Sequence, residues 1–165
     1  MPPPAVRDAL REQIAALARR YRTPRFEPHI TLLGAIAGEI EAIRVHAAAL
    51  ARAIAPIEVR LCTLEHTDAY FRCVYLKAEI NEALRSAHRL TCQQLQRPMD
   101  EEFMPHLSLV YGDLDAVTRS QLVDDIGRSL ATHFTLRELA LYDYRGSPEQ
   151  WRCVQAFELG ATASA

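Results

Sequence analysis

The chain has 165 residues, of which 49% are hydrophobic and 24% are charged, and its net charge is -2. We therefore expect one soluble domain over 1–165 that buries an apolar core without a metal or a disulfide. A charge near zero argues against a coat for long nucleic acid, which would be basic. No apolar run reaches the ~20 residues of a membrane span. The chain has no apolar leader and no CxxC pair among its cysteines, so we expect a cytoplasmic protein with reduced thiols.

Apolar spacing predicts four helices and six strands. In chain order these are a helix over Ala5–Arg22, a strand over Phe26–Gly34, a helix over Glu39–Ile54, strands over Ile57–Leu64 and Phe71–Ala78 as an antiparallel hairpin, a helix over Glu82–Leu95, a strand over Met104–Tyr111, a helix over Asp115–Leu130, and strands over Thr135–Tyr144 and Arg152–Leu159. Asn81 is expected to cap the third helix, and the tail 160–165 is expected to fray. Because helices and hairpins alternate, we predict an α+β fold with antiparallel sheet.

Two distant segments share one sequence pattern. The segment 26–33 reads FEPHITLL and the segment 103–110 reads FMPHLSLV, and they align without a gap. Their histidines, His29 and His106, lie nearly half the chain apart. Such a repeat predicts two related lobes that each contribute the same strand.

Strand geometry gives the repeat a chemical meaning. Side chains two apart share a face about 6.6 Å apart, so His29 lies beside Thr31 and His106 beside Ser108. Two imidazoles can act as base and acid near neutral pH, and two hydroxyls can donate to phosphate oxygens. If the two strands face each other across a cleft, this set suits hydrolysis of a phosphate ester without a metal.

Two other interpretations of the repeat stay open. Pro-His could be a structural strand start, although this does not explain the hydroxyl two residues on in both copies. A metal site usually shows clustered ligands such as HExxH, and neither motif has a neighbouring second His, Cys or ligand-spaced Asp. We predict no metal and no other cofactor. The remaining histidines are interpreted as surface or helix residues: His46, His66, His88 and His133.

The paired motifs resemble the two-histidine (2H) phosphoesterase superfamily. The sequences HITL at 29–32 and HLSL at 106–109 fit its His-apolar-Ser/Thr-apolar pattern, and their flanks, with 70–76 and 151–154, look like its cyclic phosphodiesterase branch of plants and fungi. The resemblance implies a bilobal fold: two pseudo-symmetric lobes of antiparallel sheet with helices on the outer faces and an active-site groove between them. It also implies hydrolysis of 2',3'-cyclic nucleotides and of ADP-ribose 1'',2''-cyclic phosphate, a by-product of tRNA splicing.

The resemblance assigns roles to single residues. The catalytic histidines map to His29 and His106, the phosphate-binding hydroxyls to Thr31 and Ser108, and a phosphate-contacting tyrosine to Tyr111. Strand alternation puts Tyr111 on the face opposite Ser108 unless the strand ends or bulges at Tyr111-Gly112.

The sequence indicates less clearly which residues would bind the nucleobase of a substrate. Tyr70 and Phe71 are candidates for stacking on a base, with strand packing as the alternative. Arg25 and Arg72 are interpreted by default as solvated surface charges, with a source of positive potential near the groove as the alternative. The expected partner is a small nucleotide-like cyclic phosphate, and the oligomeric state is left open.

The start of the chain departs from the family pattern. Family members begin with a strand before the first helix, whereas this chain begins with MPPP. Either the start is shortened or the strand is missing, which would expose a sheet edge. Two alternative functions stay open: an RNA 2',3'-cyclic phosphodiesterase or 2'-5' RNA ligase-like enzyme, and a non-catalytic module that binds nucleotides or RNA ends.

Overall fold

The computed structural model describes residues 1–99, 102–127 and 132–160. These ranges contain the helices α1 (Pro4–Tyr21), α2 (Ile40–Ala53), α3 (Glu82–Gln94) and α4 (Ala116–Ile126), and the strands β1 (Ile57–His66), β2 (Val74–Ala78), β3 (His106–Val110), β4 (Thr132–Leu136), β5 (Glu138–Asp143) and β6 (Arg152–Glu158). Short 3₁₀ helices at Tyr70–Arg72 and Pro148–Gln150 precede β2 and β6. Within these ranges, no helix is both long and apolar enough to cross a membrane.

The strands form two antiparallel sheets. One sheet has the order β3-β2-β1-β4, and the other is the hairpin of β5 and β6. Helices α1 and α4 pack on the larger sheet, whereas α2 packs on the hairpin and contacts α3. The predicted α+β class with antiparallel sheet is confirmed, but the two sheets are unequal in size.

The core explains why these segments fold as they do. Leu10, Ile14 and Leu17 repeat along one face of α1 and are buried there. They join fully buried strand residues such as Val59 and Leu107 in one hydrophobic cluster. Burying a side chain of this kind contributes about 1.5–3 kcal/mol. The larger sheet therefore has one face fixed against helices.

Caps set the start of two helices. The Asn81 side chain accepts a hydrogen bond from the Leu84 amide at 2.9 Å, as predicted. Asp115 does the same for the Thr118 amide at the start of α4. The predicted end of this fourth helix at Leu130 falls outside the described residues; α4 is described to Ile126.

The predicted strand over Phe26–Gly34 is wrong. This segment forms one isolated antiparallel bridge, between Ile30 and Leu107, and otherwise has no strand pairing among the described residues. Pro28 has no N–H to donate to a neighbouring strand. The segment therefore lies beside β3 as an extended loop pinned at one point.

Two further strand boundaries differ from prediction. The strand predicted over Phe71–Ala78 begins only at Val74, because Tyr70–Arg72 forms a 3₁₀ turn. The strand predicted over Thr135–Tyr144 is two strands in different sheets, since β4 pairs with β1 and β5 pairs with β6. The chain changes sheets at Arg137, and a continuous alternating pattern does not reveal such a change.

Residues near both ends of the chain are held by backbone hydrogen bonds. No strand precedes α1 in the described residues, and the Met1 amino group donates to the Glu138 carbonyl of β5 at 2.8 Å. Gly160, the first residue of the tail expected to fray, donates its amide to the Ala51 carbonyl at 2.8 Å. The rest of that tail, 161–165, lies outside the described residues.

Candidate active site

The bridge between Ile30 and Leu107 fixes how the two motifs meet. In an antiparallel pair, the residues on either side of a bridge also lie opposite each other and share a face. Ile30 and Leu107 pack toward the core, so their neighbours face away from it. The register sets the pairs side by side: His29 opposite Ser108, and Thr31 opposite His106. The four polar residues predicted from the repeat thus converge on one face.

Both imidazoles are held in the same tautomer. The Nδ1 atom of His29 lies 2.6 Å from the Glu27 carbonyl, and the Nδ1 atom of His106 lies 2.9 Å from the Met104 carbonyl. A carbonyl oxygen only accepts, so each Nδ1 carries the proton and each Nε2 keeps a lone pair. The two copies therefore match in hydrogen bonding as well as in sequence.

Burial lowers the pKa of both histidines. It is the largest effect on each ring, and the carbonyl bond to Nδ1 offsets part of it. For His29 the positive charges of the amino terminus and of His106 lower the pKa further. A positive charge on His106 therefore acts on His29, and both rings favour the neutral form at pH 7.

These depressed pKa values predict a pH-dependent stability. Because the folded protein favours neutral imidazoles, the unfolded chain binds more protons, and the free energy of unfolding falls as pH drops below about 6.5. We expect this loss in urea unfolding measured between pH 7.5 and 5. In His29→Asn and in His106→Asn the dependence should become shallower. If the free energy of unfolding has the same pH dependence in wild type and in both variants, the pKa values of these histidines are not lowered by folding.

Tyr111 connects the two motifs. Its hydroxyl lies 3.4 Å from Nε2 of His29 and also interacts with the Ser108 hydroxyl. Its ring stacks on Phe26 with centroids 3.7 Å apart. Burial raises the pKa of Tyr111 well above its ordinary value, so the hydroxyl stays protonated and donates toward His29.

A β-bulge explains how Tyr111 reaches this face. Between the residues of β3 that pair with Tyr75 and Val74, Leu109 is an extra residue. One extra residue shifts the alternation by one, so Tyr111 comes to the side of Ser108. From the sequence, we expect the strand to end or bulge at Tyr111-Gly112 if Tyr111 is to lie on this face. The bulge comes earlier, within β3.

The two motif hydroxyls differ in their surroundings. Ser108 is 5% exposed and donates to the Phe71 carbonyl at 3.0 Å, whereas Thr31 is exposed. Thr31 can reach a ligand directly. The Ser108 hydroxyl has to rotate away from the carbonyl before it can donate to one.

Two aromatic rings border Tyr111, those of the exposed Phe71 and the half-buried Trp151. Phe71 is 54% exposed, and its ring centroid lies 5.3 Å from that of Tyr111 and 5.7 Å from that of Trp151. Tyr144, also exposed, lies edge-on to Trp151 at 6.5 Å. We call Phe71, Trp151 and Tyr144 the aromatic platform. Tyr70 contacts Phe71 edge-on at 5.0 Å and lies outside the platform as defined. Trp151 and Tyr144 could not be predicted as neighbours of the site, because only the fold of the β5–β6 hairpin brings them here.

Two further tyrosines flank the histidines and were also missed. The ring of Tyr75 lies 5.3 Å edge-on from His106, and its hydroxyl donates to Glu65 at 2.9 Å. The ring of Tyr142 lies 6.5 Å from that of His29. Burial is the main cause that raises the pKa of each tyrosine to about 12. Both phenols therefore remain neutral at pH 7.

His88 lies in a helix, as predicted, but it is buried rather than exposed. Its Nδ1 atom lies 2.9 Å from the Leu32 carbonyl, and its ring stacks on Phe103 with centroids 4.0 Å apart. Leu32 and Phe103 belong to the two repeated segments. His88 therefore contacts both motif segments and helps to hold them in place. In the described part of the chain, no group of three or more His, Cys, Asp or Glu side chains is placed to hold a metal ion.

Comparison with family models decides which family this arrangement belongs to. The model of the 2'-5' RNA ligase superfamily matches residues 2–148. The chain belongs to that superfamily. It is the family of two-histidine phosphoesterases that the paired motifs resemble, and its members are enzymes that transfer or hydrolyse phosphoesters.

Solved structures agree on the superfamily fold. The protein TT0787 of Thermus thermophilus matches with a TM-score of 0.61 and 24% sequence identity, covering 96% of this chain and 93% of that one. LigT of Escherichia coli, solved in complex with 3'-AMP, matches with a TM-score of 0.62 and 18% identity, covering 93% of each chain. A comparison with curated proteins finds no match.

Proposed function

We propose that this member of the superfamily hydrolyses cyclic phosphodiesters, namely 2',3'-cyclic nucleotides and ADP-ribose 1'',2''-cyclic phosphate, to phosphomonoesters without a metal. One observation carries the proposal. Both imidazoles bond a carbonyl through Nδ1, so that the lone pair of each ring lies on Nε2, and at His29 this atom faces the Tyr111 hydroxyl. The substrate class rests on the sequence resemblance to the cyclic phosphodiesterase branch.

The proposed reaction uses the histidines as a base and an acid. The Nε2 atom of one takes a proton from water as its oxygen bonds to phosphorus. The other, protonated, gives its proton to the ribose oxygen as the P–O bond breaks. Each transfer contributes about 10²–10⁴-fold in rate. Because both rings are neutral at rest, we infer that the anionic phosphate raises the pKa of the nearer one on binding.

The neutral donors of the site stabilise the charge that grows on the phosphate. Thr31, Ser108 and Tyr111 lie around the histidines, and Tyr111 stays protonated. Fixed donors aimed at developing negative charge are a large source of rate enhancement. The LigT structure holds 3'-AMP, a small nucleotide, which supports a nucleotide-sized substrate here.

The aromatic platform is proposed to bind the base. Its Phe71 and Trp151 rings border Tyr111, and stacking on an aromatic side chain is worth about 1–3 kcal/mol per base. We expect Phe71→Ala to raise KM for 2',3'-cyclic AMP about tenfold with little change in kcat. The main-chain carbonyl that accepts from Ser108 remains in this variant. For ribose 2',3'-cyclic phosphate, which has no base, wild type and variant should agree; an equal loss on both substrates would contradict stacking.

One assay tests the function. Pure protein is incubated with 2',3'-cyclic AMP in excess EDTA, and the products are separated by chromatography. We expect a monophosphate at an undiminished rate. A rate abolished by EDTA would overturn the metal-independent mechanism, and binding without turnover would favour the non-catalytic module. Preference for an RNA oligonucleotide with a cyclic phosphate end would favour the RNA phosphodiesterase alternative.

A further inference from the structure

One arginine beside the motif of β3, Arg72, has a guanidinium nitrogen without a partner among the described residues. From the sequence, Arg72 is by default a solvated surface charge, with positive potential near the groove as the alternative; in the structure it is half-buried, and its Nε atom is buried without a hydrogen-bond partner. Within the described residues it forms no ion pair, whereas Arg119, the other arginine with a buried unpaired Nε, donates through Nη1 to the Leu114 carbonyl. Buried donors are nearly always paired, so the Arg72 guanidinium calls for an explanation.

The backbone of Arg72 is held next to the motif of β3. The preceding residue, Phe71, accepts the hydrogen bond of Ser108, and the Arg72 carbonyl accepts one from the Thr67 hydroxyl at 2.8 Å. The positive charge of Arg72 also lowers the pKa of His106, after the larger effects of burial and of the carbonyl bond. The guanidinium is thus within electrostatic reach of the proposed reaction centre.

The carboxylate of Glu65, which like Arg72 acts electrostatically on Tyr75, is already engaged. Glu65 accepts from Tyr75 at 2.9 Å and from Thr63 at 3.0 Å, and it lies 3.7 Å from the Lys77 ammonium. It bonds three side chains and none of these is Arg72. Among the described residues no carboxylate pairs with the Arg72 guanidinium, so its charge remains open to an anionic ligand.

We propose that Arg72 binds a non-bridging oxygen of the substrate phosphate and is the fixed cation of the site. The inference rests on the proposed function, since it names a substrate-binding group for that reaction. A guanidinium suits phosphate because its planar donors pair with two oxygens at once. Its N–H groups would then be paired only when the anion is bound.

The test compares Arg72→Gln and Arg72→Lys with the control Arg20→Gln. Arg20 pairs with Asp125 at 3.1 Å on the exposed surface of α1 and α4, the helices that cover the larger sheet. The probes are 3'-AMP, which carries a phosphate, and adenosine, which does not. Their binding is measured by calorimetry and competition, and folding is checked by thermal unfolding.

We expect Arg72→Gln to weaken 3'-AMP binding and to lower kcat/KM for 2',3'-cyclic AMP by about 10- to 100-fold, since hydrogen bonds to charged groups are lost. Adenosine binding should not change, and Arg20→Gln should match wild type. Arg72→Lys keeps the charge but not the paired donors, so its affinity for 3'-AMP should lie between those of Arg72→Gln and wild type. If Arg72→Gln does not fold, Arg72→Lys is compared with wild type instead.

Two results would overturn the role of Arg72: unchanged 3'-AMP binding, or equal weakening of 3'-AMP and adenosine, which indicates structural damage. The proposed function fails separately. If wild type binds 3'-AMP but does not turn over the cyclic nucleotide, the function is wrong, and the binding comparison still decides the role of Arg72. If wild type does not bind 3'-AMP at all, the phosphate site itself is refuted.

Discussion

We expect His29→Asn and His106→Asn each to lower kcat/KM for 2',3'-cyclic AMP by at least about 100-fold, because each removes one proton transfer. Asparagine keeps a side-chain N–H that can donate to the carbonyl of Glu27 or Met104, which accepts from Nδ1 in the native protein. It has no counterpart of Nε2. The substitution therefore preserves the local hydrogen bond and deletes the nitrogen that moves the proton.

The double variant sharpens this prediction. Groups that act as one unit are strongly non-additive, so losing both histidines should cost little more than losing one. His133→Asn is the control, since His133 is exposed and pairs with Glu58 away from the motifs. If the losses in kcat/KM of the two single variants multiply in the double variant, the two rings do not act in one reaction step. If either single variant keeps the full rate, the histidine that it lacks is not catalytic.

The pH profile separates the two roles. A base acts when neutral and an acid when protonated, so the wild-type rate should be bell-shaped in pH. The variant that lacks the base should lose the acidic limb, and the variant that lacks the acid should lose the alkaline limb. Measured on single turnovers, this assigns base and acid, which the sequence left open.

The convergence of the four polar residues could be predicted because the chain repeats itself. Two segments with the same alternation, the strand β3 and a loop beside it, carry a histidine and a hydroxyl on one side, and a single bridge between Ile30 and Leu107 is enough to bring them together. Local pattern and tertiary structure agree at these positions. Such agreement is typical where a segment is short, apolar on one side and buried there.

The environment of the site could not be predicted, because it depends on contacts between distant segments. Trp151 reaches Tyr111 only through the β5–β6 hairpin, and His88 is buried only because both motif segments pack on it. Tyr111 was placed by its resemblance, yet the bulge that turns it toward Ser108 leaves no clear mark in the sequence. The alternation of apolar and polar residues in the sequence does not reveal an inserted residue, nor a change from one sheet to another such as the one at Arg137.

Leu107→Ala should be the most damaging single change to the fold near the site. Leu107 is fully buried and pairs with Ile30 at the bridge that joins the motifs. Truncating a buried leucine costs about 2–5 kcal/mol, because transfer free energy is lost and a cavity remains. Urea unfolding measures this free energy. Val117→Ala, at a side chain that is 66% exposed, should cost under about 0.5 kcal/mol.

The same variant tests whether that bridge positions the chemistry. Leu107 lies between His106 and Ser108, so a loosened bridge should lower kcat at a temperature where the variant is fully folded, since misplacing reacting groups by about 1 Å can cost 10²-fold. Leu107→Ile conserves volume and should restore most of both losses. If Leu107→Ala unfolds more easily but keeps its full kcat when folded, the histidines are held by their carbonyl bonds and by His88 alone, and the bridge contributes to stability without positioning the site.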